Sequence, residues 1–178
     1  MVSTEYAMVR LVTKQPSQCS ETLILDFQVF VRAGGEVGST ALYRRIRDAK
    51  ALVFLYDKGC LSGIAALKRP TASYRRKVVT KSGVSLDERM YPYELGYIFV
   101  LPSSRGKRYS HRLTEAALTA AEKHGVFATS RTDNEAMHAA LKHYSFVKAG
   151  KPYSSSRRRL KLQLFIRSPT RSSDASNV

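Results

Sequence analysis

Acidic side chains are scarce in this sequence. Its 178 residues hold 14 Asp and Glu against 30 Lys and Arg, a formal net charge of +16. Cysteine is scarce too. Cys19 and Cys60 are the only two, which excludes a disulfide framework and fits a reducing compartment. The four histidines, His111, His124, His138 and His143, do not stand at metal-ligand spacings, and no His-Cys cluster exists. No apolar run is long enough to cross a membrane; the best candidate, "TLILDFQVFV", is interrupted by Asp26. The first ten residues lack the basic-then-apolar pattern of a secretory signal. The expectation is a cytoplasmic protein with no metal and no membrane partner.

The charge is unevenly placed. Residues 41–90 hold 12 basic and 4 acidic side chains, and residues 151–178 hold 7 and 1. Such a field attracts polyanions, either nucleic acid or a phosphorylated ligand; the bland alternative is solubility. The apolar content of 43% supports a packed core. One domain over 1–167 is expected, with 168–178 as a disordered tail.

Periodicity predicts a helix over residues 20–35, with Leu23, Phe27, Phe30 and Val31 on one face, Ser20 as N-cap and Gly34 as the stop. A second helix is predicted over 39–49, around Leu42 and Ile46. "ALVFLY" and "CLSGIAAL", separated by "DKG", read as a hairpin. "YRRKVVTKSGV" reads as a short helix with its basic residues exposed. "YELGYIFVL" is a buried strand, 106–124 the clearest helix, "VFATS" a strand, "DNEAMHAALKHY" a helix, and "LKLQLFI" the strand that closes the sheet.

The informative stretch is "VLPSSRGKRYSHRL", residues 100–113. A strand runs into a proline turn, then a basic loop, then a helix. A helix N-terminus offers unpaired N–H groups and the positive end of a dipole, which suits a pyrophosphate. Glycines let the backbone approach phosphates, yet the loop holds one glycine, Gly106, beside Arg105, Lys107 and Arg108. Those three basic residues offer charge-assisted contacts, or simply a solvated helix start.

The order strand, loop, helix, strand, Asn-opened helix, strand resembles the GNAT N-acetyltransferase superfamily over about residues 20–166, most specifically 93–150. Members carry Arg/Gln-x-x-Gly-x-Gly/Ala at this loop. Arg105 matches, Ser110 is small enough, and Arg108 stands at the usual middle glycine. Of the downstream pattern N-x-x-A-x-x-x-Y-x-K-x-G-F, Asn134 and Phe146 match; Met137, Leu141 and Ser145 depart.

The resemblance implies an α/β (α+β) fold: a central mixed, mostly antiparallel twisted sheet flanked by helices on both faces. It implies acetyl-CoA, or another acyl-CoA, held by Arg105, Gly106, Lys107, Arg108, Tyr109 and Ser110, with Phe99, Val100 and Asn134 along its amide arm. Asn134 is alternatively a helix cap. Glu94 stands where members place a catalytic base; an ion pair is the alternative. The family's usual acid, a tyrosine, falls at Leu141, and Tyr144 either substitutes or is core. Arg75, Arg76, Arg157, Arg158 and Arg159 are candidates for acceptor-side basic contacts. The function implied is acyl transfer from acyl-CoA to an amine, with a nucleic acid or a protein as candidate carriers of that amine. A nucleic-acid-binding module of weak or no activity, and a small-molecule acetyltransferase, are the alternatives. The oligomeric state is left open, a dimer included.

Overall fold

The computed structural model describes residues 9–35, 41–155 and 160–170. Seven strands, β1 (Arg10–Lys14), β2 (Ala51–Asp57), β3 (Cys60–Lys68), β4 (Tyr93–Val100), β5 (Val126–Arg131), β6 (Val147–Ser154) and β7 (Lys161–Arg167), form one sheet in the order β1-β2-β3-β4-β5-β7-β6. The pair β4/β5 is parallel; β1/β2, β2/β3, β5/β7 and β6/β7 are antiparallel. This is the mixed, mostly antiparallel sheet expected. The chain forms two compact units, Met1–Lys68 with Leu95–Ala120, and Arg69–Glu94 with Ala121–Val178.

In the first unit, α1 (Glu21–Ala33) begins where Ser20 Oγ accepts from Leu23 N at 3.2 Å. It ends at Gly34, and Gly35 follows at φ +67°. Its buried face is Ile24, Phe27 and Val31, with Leu23 and Phe30 half-buried beside it. The face is therefore rotated slightly from the predicted one. The short α2 (Leu42–Arg47) buries Leu42 and Ile46. The β2–β3 turn places Lys58 at φ +51° and Gly59 at φ +78°, the doubly left-handed turn that matches strand twist. Both strands are apolar on both faces because both faces are covered. Leu52, Phe54, Ile64 and Ala66 pack with the α1 and α2 residues. Gly63, on the opposite face, lies against Leu113 of α4 (Tyr109–Thr119). α4 is shorter than the predicted 106–124, because Arg108 is left-handed at one end and Ala120 begins a turn at the other.

In the second unit, α3 (Ala72–Ser82) packs on β6 and β7, closing a cluster of Val78, Leu86, Phe127 and Leu164. On the other face of β7, Phe165 meets His138 of α5 (Glu135–His143), ring centroids 4.8 Å apart. The strand "LKLQLFI" does not close the sheet. β7 pairs with β5 on one side and β6 on the other, so β6 is the edge.

Gly150 interrupts the β6 register at φ +64°, and a Cβ there would run into the Ser82 carbonyl oxygen. Gly150→Ala combines left-handed strain with backbone overlap. It is expected to destabilise by about 2–4 kcal/mol, read as a fall in Tm of about 5–15 °C. An unchanged Tm contradicts the account.

Candidate functional site

The first unit carries the loop between β4 and α4. Pro102–Ser104 form a single 3-10 turn, anchored where Leu101 N donates to Ser62 O at 2.9 Å. Gly106 follows at φ +80°, and Arg108 caps α4 at φ +58°, ψ +24°. The family pattern's glycine position thus keeps left-handed geometry although an arginine fills it. Arg105, Gly106, Lys107 and Arg108 are exposed, and the cap makes no side-chain hydrogen bond, while His111 N donates to Arg108 O at 3.1 Å. The three basic residues differ in their surroundings. Arg105 Nε donates to the Val100 carbonyl at 3.3 Å, and Lys107 Nζ lies 2.8 Å from Asp57 Oδ2. Tyr109 is not exposed in the loop: its ring is buried and its hydroxyl donates to Asp57 Oδ2 at 2.9 Å. Phe99 sets its ring edge-on to Phe30 at 6.0 Å, so its side chain belongs to the core beside α1.

The second unit carries the carboxylate. Glu94 is 3% exposed. Tyr74 OH donates to its Oε1 at 2.9 Å, and Thr129 Oγ1 donates to the same atom at 3.4 Å. Burial, then the charge of Glu94, pushes the Tyr74 phenol well above its ordinary value; the same two causes raise Tyr153. Glu94 thus accepts from two hydroxyls, Tyr74 on α3 and Thr129 on β5, and its charge also acts on Tyr153 of β6. None of those three was predicted around it. Tyr74 was legible in principle, since Tyr74 and Val78 stand four apart on one helix face.

Arg75 corrects an expectation. It is buried rather than turned to an acceptor: Nη1 donates to Tyr91 O at 2.7 Å, Nη2 to Pro92 O at 3.4 Å, and the guanidinium lies 5.5 Å from the Phe127 ring centroid. It shares the inner face of α3 with Val78, three residues on. Arg76 is exposed, and Arg157, Arg158 and Arg159 lie outside the described residues. Asn134 Oδ1 accepts from Met137 N at 3.2 Å and so caps α5. Leu141 is buried, and Tyr144 ends α5 half-buried, edge-on to His143. Among the described residues no three His, Cys, Asp or Glu side chains gather as metal ligands, and no helix is long and apolar enough to cross a membrane.

The parallel ladder between β4 and β5 is formed at Tyr93↔Val126 and Glu94↔Phe127. Three residues after Glu94, Tyr97 takes φ +54°, a strained value for an aromatic residue inside a strand. Gly96 beside it admits Lys68, whose Cε would stand 2.6 Å from an added Cβ. A lone glycine within a strand pattern is the signal that marks such a break.

Two outcomes follow from this geometry. The raised phenols bind protons in the folded chain above pH 10, where unfolded tyrosines release them, so stability falls as pH rises from about 10. Tyrosinate absorbance should show a class that ionises only with alkaline unfolding, and Tyr74→Phe or Tyr153→Phe should each remove one member. Second, Arg108→Gly relieves left-handed strain of about 1–2 kcal/mol, offset in part by glycine's chain entropy. A small rise in Tm is expected, and a fall means Arg108 is held by favourable contacts.

Residues 26–146 match the family described as the Acetyltransferase (GNAT) family. No curated protein sequence matches the chain. Among solved structures, Escherichia coli ElaA superposes with a TM-score of 0.62 at 13% identity, over 90% of this chain and 99% of its own. An acyl-CoA N-acyltransferase from Pseudomonas aeruginosa gives 0.63 at 16%, over 90% and 99%. Salmonella typhimurium yncA, solved with its cofactor acetyl-CoA, gives 0.62 at 15%, over 96% and 100%. With a family match across well over half its length and this strand order beneath it, the chain belongs to the acetyltransferase (GNAT) family.

Proposed function

We propose that the protein transfers an acyl group, acetyl in the first instance, from acyl-CoA to an amine, with Glu94 as the base. The observation that carries this is a buried carboxylate fixed by a phenol at 2.9 Å on the central strand. Acyl-CoA supplies the thioester carbonyl that an amine attacks and a thiolate that leaves. Glu94, or a water it holds, takes the proton that an ammonium acceptor must lose before attack. Tyr74 and Thr129 hold Oε1 and so orient the carboxylate for that transfer. The leaving thiolate needs a proton in turn. Leu141 cannot give one, and Tyr144 is the phenol we assign to that step.

The loop suits the phosphates of acyl-CoA. It opens a helix whose cap makes no side-chain hydrogen bond, and Arg105 and Arg108 bring exposed residues to the same turn. Phe99 and Val100 contribute backbone rather than side chains to this reading, and Asn134 takes part beside its capping role. The acceptor reading is an amine on a polyanionic carrier. Arg76 and Lys77 on α3, with Lys148 and Lys151 on β6, are exposed and favour it. A nucleic-acid-binding module without turnover rests on the same four residues and on the missing tyrosine at Leu141.

Glu94→Gln separates these readings. Acetyl-CoA should raise the Tm of both proteins alike, by mass action. Acetylation of an amine panel that includes amine-bearing nucleic acids should fall by about a hundredfold or more in the variant. Equal turnover in both proteins removes Glu94 as the base. Absent turnover in the wild type, with salt-sensitive nucleic-acid binding, favours the module.

A further inference from the structure

The loop's left-handed residue is flanked by two side chains that converge on one oxygen. Lys107, before Arg108, places Nζ 2.8 Å from Asp57 Oδ2. Tyr109, after it, donates its hydroxyl to that same atom at 2.9 Å. Lys107 Nζ also lies 5.6 Å from the Tyr109 ring centroid. The Asp57 side chain is 10% exposed, and it is the last residue of β2, next to the tight Lys58–Gly59 turn. A carboxylate on a rigid hairpin therefore holds the chain on both sides of a strained residue. Strained conformations persist where their surroundings over-determine them. The Lys107 charge is meanwhile matched within 3 Å, whereas Arg105 Nε donates to a neutral carbonyl.

We infer that Asp57 is a positioning residue for the acyl-CoA loop, and that Lys107 is a strut between loop and hairpin rather than a phosphate ligand. Lys107 and Tyr109, each through its hydrogen bond, hold the Asp57 carboxyl below its ordinary value, so the pin stays charged at neutral pH and well into acid. The inference rests on the reading that residues 105–110 take the phosphates. It adds that the loop's shape is set from a segment some 50 residues earlier in the chain, by a residue that touches no part of the ligand.

Calorimetric titration of acetyl-CoA into the full chain tests it, using Asp57→Asn, Lys107→Met, the double variant, and Arg105→Ala as a control. Each of the first two should weaken binding by roughly tenfold, the coupling expected of contacting residues. The double variant should be no weaker than either single. With an acceptor in hand, the losses should appear in KM, with kcat changed less than twofold. Losses that add in the double variant overturn the inference. So does tighter binding in Asp57→Asn with weaker binding in Lys107→Met, which would make Lys107 a phosphate ligand that Asp57 restrains. If Arg105→Ala weakens binding and Asp57→Asn does not, the positioning role alone falls. If Arg105→Ala changes nothing, the loop reading falls and takes the inference with it. Should Asp57→Asn fail to fold, Tyr109→Phe removes one bond of the pin and should weaken binding severalfold; unchanged binding in that variant overturns the inference.

Discussion

A carboxylate taken out of water has to be met by hydrogen-bond donors, and Glu94 sets that demand for its half of the molecule. Two donors reach Oε1 from different elements, Tyr74 on α3 and Thr129 on β5. For Tyr74 to arrive, α3 has to lie at a fixed height over the sheet. Its own inner residues fix it there: Val78 enters the apolar cluster, and Arg75 clamps the carbonyls of Tyr91 and Pro92 directly before β4. Gly125 completes the arrangement, since its N–H donates to Met90 O at 2.9 Å and a Cβ there would strike Tyr91. The chain entering β4 is thus braced by an arginine from α3 and a glycine before β5, and the glutamate is delivered between them. Arg75 counts toward the formal charge but is spent on packing.

The loop in the other unit obeys a different constraint. Its path needs two left-handed residues, and only Gly106 adopts that geometry without strain. Arg108 takes the same geometry with a full side chain. What the family pattern assigns to glycine flexibility is here enforced from outside, by the end of a hairpin. The glycine-poor loop and the half-buried Asp57 are therefore one feature seen from two sides.

Much of the fold was legible because its signals are local. Ser20 and Gly34 bracket α1 as helix caps do, and the "DKG" turn between two apolar runs has few other outcomes. The doubly buried strands β2 and β3 are near-continuous apolar runs. What was not legible is non-local. Arg75 looks like its neighbour Arg76 until α3 is seated, and the seat depends on Tyr91 and Pro92, some 16 residues on. Asp57 reads as a turn residue; its partners are 50 residues away. Tyr74 and Tyr153 sit in basic runs, so their surroundings in sequence are polar while those in space are a carboxylate and apolar side chains. Glu94 drew notice in the sequence because a charged residue in an apolar strand is conspicuous there, and the structure buries it.

The edge strand β6 bears on how copies of the chain behave together. A free sheet edge is a template for any other extended chain. Here the template is spoiled along its length: Gly150 breaks the register, Pro152 lacks an N–H, and Lys148 and Lys151 add like charges that repel a second copy. An intruding strand would find no run of evenly spaced donors and acceptors. At high concentration, or during synthesis before the outer strands are seated, this side of the sheet is guarded against growing into a fibre by the same irregularity that lets the strand turn over the end of α3.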